Sequence, residues 1–174
     1  MHHLSPSQGA RVSRPCTSKA SGISIEPLSD HPEVLSTLTR WFISEWPSWY
    51  GEDGPGDAAA DLLAYASRDG LPRAVVAFAD GEVCGVAALK RDSIASHAHL
   101  TPWAAAALVA PLRRGRGIGA RLIAALEEEA RGLGYTRIYC GTSTARSLLV
   151  RGGWELLEEI THEGESLGVY SKAL

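Results

Sequence analysis

Apolar and polar residues recur along this chain with two different periods, and the switches between them predict its elements. Ile23-Ser24-Ile25-Glu26-Pro27-Leu28 begins with period two, the mark of a short first strand. Asp30 can cap the helix that follows, with Pro32 in its first turn and Glu33 three residues on completing a capping box. Val34, Leu35, Leu38, Trp41 and Phe42 then recur at helical spacing as one apolar stripe. Trp46 to Gly56 reads as a loop from its glycine and proline content, and Asp57 to Arg68 as a second helix stopped by Gly70 and Pro72. Ala74–Ala79 and Glu82–Leu89 flank Asp80-Gly81, a favoured two-residue hairpin turn. A loop over 90–101 precedes a strand from Trp103 to Val109 and a helix over 117–132 that closes near Gly132 or Gly134. A strand over 137–140, a helix over 144–151 and strands over 154–161 and 166–172 complete the chain. No internal repeat is visible. About seven strands and four helices in this order predict an α/β (α+β) fold, a single mixed, mostly antiparallel twisted sheet flanked by helices.

Composition narrows the partners. The chain has 174 residues and a formal net charge of −3, with 45% hydrophobic residues, which points to one packed domain over 23–174 and away from disorder or general nucleic-acid binding. Residues 1–22 lack an apolar signal core and are expected to be a flexible tail, not a secretion signal. Cys16, Cys84 and Cys140 make an odd count without metal-ligand spacing, which predicts a reducing, cytoplasmic setting and no metal site. No apolar run approaches the roughly 18 residues of a membrane span.

The chemistry concentrates in Val109-Ala110-Pro111-Leu112-Arg113-Arg114-Gly115-Arg116-Gly117-Ile118-Gly119-Ala120. An apolar strand runs through a basic, glycine-rich turn into a helix whose first N–H groups have no internal partners and carry the positive end of the dipole. Glycines at 115, 117 and 119 let a ligand approach bare backbone, and Arg113, Arg114 and Arg116 add charge, as a phosphate cradle requires. The glycines also satisfy the loose dinucleotide fingerprint of a nicotinamide dehydrogenase. The strand after the helix, Thr136-Arg137-Ile138-Tyr139-Cys140-Gly141-Thr142, lacks the carboxylate that would hold a ribose. A Walker loop fails too, since Ala120-Arg121 stands where Lys-Ser/Thr is needed.

Arg114-x-x-Gly117-x-Gly119, preceded by Val109-x-Pro111, resembles the acetyl-coenzyme-A loop of the GNAT N-acetyltransferases, and Thr142 to Trp154 resembles that family's late helix and its Gly-aromatic turn. The resemblance runs from Ile23 to Leu174 and implies the GNAT-like acyl-CoA N-acyltransferase fold with acetyl-CoA as co-substrate. It implies a cofactor site of Arg114, Gly115, Arg116, Gly117, Ile118, Gly119 and Ala120, with Leu108 and Val109 pairing the pantetheine arm and Thr142 nearby. The implied reaction is acetyl transfer to a primary amine of a small molecule or peptide, by direct attack in a ternary complex. No nucleic-acid or membrane partner is implied, and a homodimer is one open option for the assembly.

The proton carriers depart from the family pattern. Some members place a glutamate where this chain has Trp103, and Trp103 to Ala110 hold no ionisable side chain. His97 and His99, with an ordinary pKa of about 6.5, are the candidate bases, set against a reading as exposed loop histidines. Glu45, Glu52 and Asp53 are further options. The family's usual acid, a tyrosine, maps to Leu149, leaving Tyr139, Thr142, Tyr170 or water to protonate the thiolate. Leu149 also admits a second reading, a catalytically weak acyl-CoA-binding or regulatory module. For the acceptor, Trp46, Trp49, Tyr50 and Trp103 are the candidate contacts beside the acids Glu52, Asp53 and Asp57, the alternative being that Trp46 and Trp49 close the core over the first helix.

Overall fold

The computed structural model describes residues 22–174; the tail expected over residues 1–22 therefore lies, with Cys16, outside the described residues apart from Gly22. Seven strands form one sheet in the order β1-β2-β3-β4-β5-β7-β6. They are β1 (Ile23–Pro27), β2 (Arg73–Ala79), β3 (Glu82–Lys90), β4 (Trp103–Val109), β5 (Arg137–Thr142), β6 (Glu155–His162) and β7 (Glu165–Ala173). Every neighbouring pair is antiparallel except β4 and β5, which are parallel and joined by the long crossover through the main helix. The helices are α1 (Leu35–Glu45), α2 (Pro47–Tyr50), α3 (Ala58–Tyr65), α4 (Ile118–Gly132) and α5 (Arg146–Arg151).

The layers follow from which side chains each strand turns to which face. Val75, Ala77 and Ala79 of β2 join Ile118, Leu122, Leu126 and Ala130 of α4 in one buried cluster. Ala74 and Val76, turned the other way, join Leu38, Phe42 and Leu62 of α1 and α3. β2 is thus buried on both faces, which is why its sequence is a nearly continuous apolar run. Close seating of α4 requires Gly85 of β3, where a Cβ would stand 2.9 Å from Leu122 Cδ1. At the β2–β3 tip Asp80 (φ 52°) and Gly81 (φ 79°) both adopt the left-handed region that a primed hairpin turn demands.

Where the boundaries moved, a particular side-chain contact or a proline explains each shift. The capping box at Asp30 does not form: Asp30 pairs with Arg68, and the Glu33 carboxylate bonds the His31 ring instead. The chain takes two 3-10 turns, Leu28–Asp30 and Pro32–Val34, before α1 begins at Leu35. α3 is capped by Asp57 Oδ1 accepting from Ala60 N at 3.0 Å, and it ends at Tyr65, short of the expected Arg68. Ser67 Oγ takes the Asp69 N–H at 3.2 Å and draws the last residues into a turn. The expected loop after Trp46 contains α2, started by Pro47 in its first turn, where the missing N–H is no loss. α5 begins at Arg146 because Thr142 Oγ1 accepts from the N–H groups of Thr144 and Ala145.

His31 sits between two carboxylates, Nδ1 at 2.7 Å from Glu33 Oε1 and Nε2 at 3.2 Å from Glu26 Oε1. The bond to Glu33, aided by Glu26 and opposed by desolvation, raises its pKa above the ordinary 6.5. A raised folded-state pKa contributes stability that is complete below the unfolded value and lost as pH rises through the folded one. Replacing His31 by glutamine is therefore expected to lower the melting temperature most just below the ordinary histidine value of 6.5, with the difference from wild type closing as pH rises through the raised folded-state value. Melting curves across that range check it.

Candidate active site

β4 and β5 pair at only two positions, Trp103 with Tyr139 and Ala104 with Cys140. From Ala105 onward the edge of β4 that faces β5 has no strand partner, while its other edge stays bonded to β3. The strand also carries a bulge: Val86 faces Leu108 and Ala88 faces Ala105, so Ala106 and Ala107 share the space opposite one residue. Ala106 holds φ at 50°, a left-handed position that a residue with a Cβ rarely takes. The wedge between the separating strands opens into a cleft of about 980 Å³ whose walls are β4, the basic loop, α4 and α5.

The loop behaves as its glycines predict. Pro111–Arg113 make a 3-10 turn, and Gly115 (φ 78°) and Gly117 (φ 77°) then turn successive N–H groups toward one side. Among the described residues, the backbone N–H groups of Gly115 to Ala120 donate to no carbonyl or side chain; the first bond of α4 is Arg121 N to Gly117 O. At Gly117 an added Cβ would meet nothing within 4 Å, so that position opens directly onto the cleft side.

The three arginines divide their work. Arg113 reaches back to the hairpin, to Glu82 at 3.3 Å and Asp80 at 3.9 Å. Arg114 Nε donates to Val109 O at 3.0 Å, and its terminal nitrogen lies 3.5 Å from Glu45 at the end of α1. Both are braces of the loop as well as charges beside it. Arg116 is exposed and lies outside the cleft wall, unlike Leu108, Val109, Arg114, Gly115, Gly117, Ile118, Gly119 and Ala120, which all line it. Its side chain sits between the two left-handed glycines on the solvent side, while its backbone N–H belongs to the unbonded run of the loop.

At the far end of the cleft, Glu127 of α4 is buried and accepts from Trp154 Nε1 at 3.0 Å and from Lys172 Nζ at 2.9 Å. Lys172 Nζ also donates to Gly152 O at 2.7 Å. One carboxylate thereby ties α4 to the Gly-Gly-Trp turn and to β7. Sequence reading missed this network, and missed Thr144, Ser147 and Arg151 of the α5 wall. A glutamate on the apolar stripe of α4, one turn after Ile123, is the signal that marked it.

Other expected site residues lie elsewhere. Trp103 is fully buried, its Nε1 donating to Leu100 O at 2.7 Å and its ring packed with Ile94 and Val169, so it presents no face to an acceptor. Tyr139 packs beside it, the rings tilted at 39° with centroids 5.8 Å apart, and does not line the cleft. Thr142 is likewise outside the wall, its hydroxyl oxygen occupied by the start of α5. His97 is held at both ring nitrogens, by Ser96 Oγ at 2.7 Å and Glu158 at 2.9 Å; His99 stacks on it at 6.0 Å and is exposed. Trp46 and Tyr50 pack on Phe42 in the core over α1, with Tyr50 Oη donating to Asp61 at 2.7 Å. Burial, with Asp61 beside it, pushes the Tyr50 phenol pKa upward. Trp49 alone of the three faces outward, 49% exposed. Leu149 is buried against α4 and supplies no hydroxyl. Among the described residues, no group of three or more His, Cys, Asp or Glu side chains is placed to hold a metal, and no helix is long and apolar enough to cross a membrane.

An open mixed sheet, a backbone anion nest at a strand–helix junction and a neighbouring strand edge left unpaired together define the GNAT acyltransferase fold. The profile of the acetyltransferase (GNAT) family matches residues 35–149, and the chain belongs to that family. Solved structures agree in fold. The aminoglycoside 6′-N-acetyltransferase from Enterococcus faecium superposes with a TM-score of 0.67 at 17% identity, covering 87% of this chain and 96% of its own. An aminoglycoside 6′-N-acetyltransferase complexed with coenzyme A gives 0.69 at 17% identity, covering 87% and 96%. The yncA protein of Salmonella typhimurium, with its cofactor acetyl-CoA, gives 0.67 at 20% identity, covering 88% and 94%. A search of curated protein sequences gives no match.

The buried network yields a stability test. Removing one partner of a buried ion pair leaves an uncompensated charge, so Lys172→Met is expected to cost about 3 kcal/mol, the low end of the usual range because Lys172 keeps partial solvent access. Adding Glu127→Leu to that variant should restore a large part of the loss, read from urea midpoints in a double-mutant cycle.

Proposed function

We propose that the protein is an acetyl-CoA-dependent N-acetyltransferase acting on a primary amine of a small molecule or peptide, by direct attack in a ternary complex. The observation that carries the reading is one cleft holding both the unbonded N–H groups of the Gly115–Ala120 loop and the β4 residues Ala107, Leu108 and Val109. The nest suits a pyrophosphate, and the free edge of β4 suits the amide-bearing pantetheine arm. Pro111, which has no N–H to give, ends that ladder where the loop begins. At the bulge, backbone of Ala106 and Ala107 without a β3 partner is available to polarise a thioester carbonyl. Bringing thioester and amine together in good geometry is the main catalytic contribution, about 7–11 kcal/mol for well-oriented reactants.

The amine must lose a proton before attack, since an alkyl ammonium has a pKa of about 10.4. His99, exposed on the loop before β4 outside the cleft wall and stacked on His97, is the base this reading assigns, acting through water. Water is the proton source for the departing thiolate, a fair leaving group with a pKa of about 8.5 if cysteine-like. Trp49, with Glu52 and Asp53 exposed beside it, is the acceptor contact that remains from the aromatic mouth. Buried, unpaired Cys84 and Cys140 support a reducing, cytoplasmic setting, and the single sheet supports one domain over 23–174. Leu149 favours a second reading, a catalytically weak acyl-CoA-binding module.

Free-thiol release from acetyl-CoA across a diverse panel of amines separates the two readings: turnover at enzymatic rates with any amine excludes the weak module. Gly117→Val places a branched side chain at φ 77° in the space the ligand would occupy. The variant should bind acetyl-CoA at least about tenfold more weakly, the loss of a charge-assisted hydrogen bond or more, by calorimetry. Unchanged affinity would sink the donor assignment.

A further inference from the structure

The cleft continues past the loop, where residues of α4 and of the α5 segment line it together. Its α4 wall there is made of small residues, Ala120 and Ala124, and its α5 wall of Thr144, Ser147, Leu148 and Arg151. The two helices touch at the loop end, where a Cβ on Gly119 would lie 3.1 Å from Leu148 Cδ1. Arg151 follows Leu148 by three positions and Ser147 by four, so it stands on the same face about one helical turn, or 5 Å, farther along.

The cations on this wall are not equivalent. Arg113 is spent on Glu82, Arg114 on Val109 O and Glu45, and Lys172 on Glu127 and Gly152 O. Arg151 uses only Nε, donating to Ser147 O at 3.2 Å; its two terminal nitrogens have no partner among the described residues. That one bond orients the fork and leaves its charge free. The carboxylate at this end, Glu127, is already neutralised by Lys172 and bonded by Trp154.

We propose that Arg151 is a donor-specificity residue that binds a second phosphate group, the one on the ribose 3′ carbon of coenzyme A, so that the site selects 3′-phosphorylated donors over dephosphorylated ones. The proposal rests on the donor reading above. A guanidinium fork matches a phosphate monoester in charge and geometry, and one ribose separates this phosphate from the pyrophosphate held at Gly115–Ala120. The contact is near solvent, so its strength falls with salt.

Calorimetry with coenzyme A and with 3′-dephospho-coenzyme A, on wild type, Arg151→Gln and Arg146→Gln, tests it. Arg146 is exposed on α5 outside the cleft wall and serves as the charge control. Wild type should prefer coenzyme A by about tenfold, the scale of a hydrogen bond to a charged group. Arg151→Gln should abolish that preference by weakening coenzyme A alone, whereas Arg146→Gln should keep it. A preference that shrinks in 0.5 M salt, as a screening length of about 4 Å implies, would support it further. Equal weakening of both ligands in Arg151→Gln would show a structural role through the Ser147 carbonyl and overturn the proposal, as would an unchanged preference. Arg151→Lys, which keeps charge but loses the fork, should be intermediate, and a near-ultraviolet circular dichroism spectrum matching wild type excludes misfolding as the cause. Failure of wild type to bind either ligand is a different result: it removes the donor reading itself, and this proposal with it.

Discussion

The separation of β4 from β5 after two paired residues is the constraint on which the rest of the structure depends. A parallel pair that closed fully would cover the β4 edge and erase the cleft. Three features keep it open. The bulge at Ala106–Ala107 twists β4 away from its straight course. β5 turns instead to β7, pairing with it along its whole length from Arg137 to Thr142. The crossover returns through α4, whose packing on Gly85 fixes how deep the loop end of the helix sits. The opening is therefore held by interactions on both sides of it, within one continuous sheet.

This arrangement explains why binding and catalytic signals were unequally legible in the sequence. The residues of the proposed donor site lie in consecutive positions, and the chemistry assigned to them resides in backbone N–H groups that glycine leaves bare. A string of three spaced glycines after an apolar strand announces such a site before any tertiary contact is known. The acceptor contacts proposed above come from segments far apart in the chain, the loop before β4 and the turn around Trp49, where only packing decides which side chain faces out. Trp46, Trp49 and Tyr50 are indistinguishable as sequence, yet two close over Phe42 and one faces solvent.

The fold itself was legible wherever period and turn chemistry agreed, as in the β2–β3 hairpin and α4. It was not legible where a side chain found a partner other than the one its spacing suggests. Asp30 and Glu33 have the spacing of a capping box, but Arg68 and His31 take their carboxylates first. The run Ala104-Ala105-Ala106-Ala107 carries no alternation, so nothing local specifies its register or reveals that a bulge interrupts it. Glu127 is the converse case: an acid in an apolar stripe looks like a break in the pattern until Lys172 and Trp154 arrive from the end of the chain.

The reach of Arg113 from the loop back to Glu82 and Asp80 has a consequence for the cost of holding a ligand. A turn with two left-handed glycines would, untethered, wander among many backbone shapes, and each binding event would have to collapse that freedom anew. With Arg113 anchored on the hairpin tip and Arg114 on Val109 O, much of the ordering is completed when the chain folds. The hairpin tip, remote in sequence, thus limits the backbone freedom of the loop, as a rigid mount rather than as a wall.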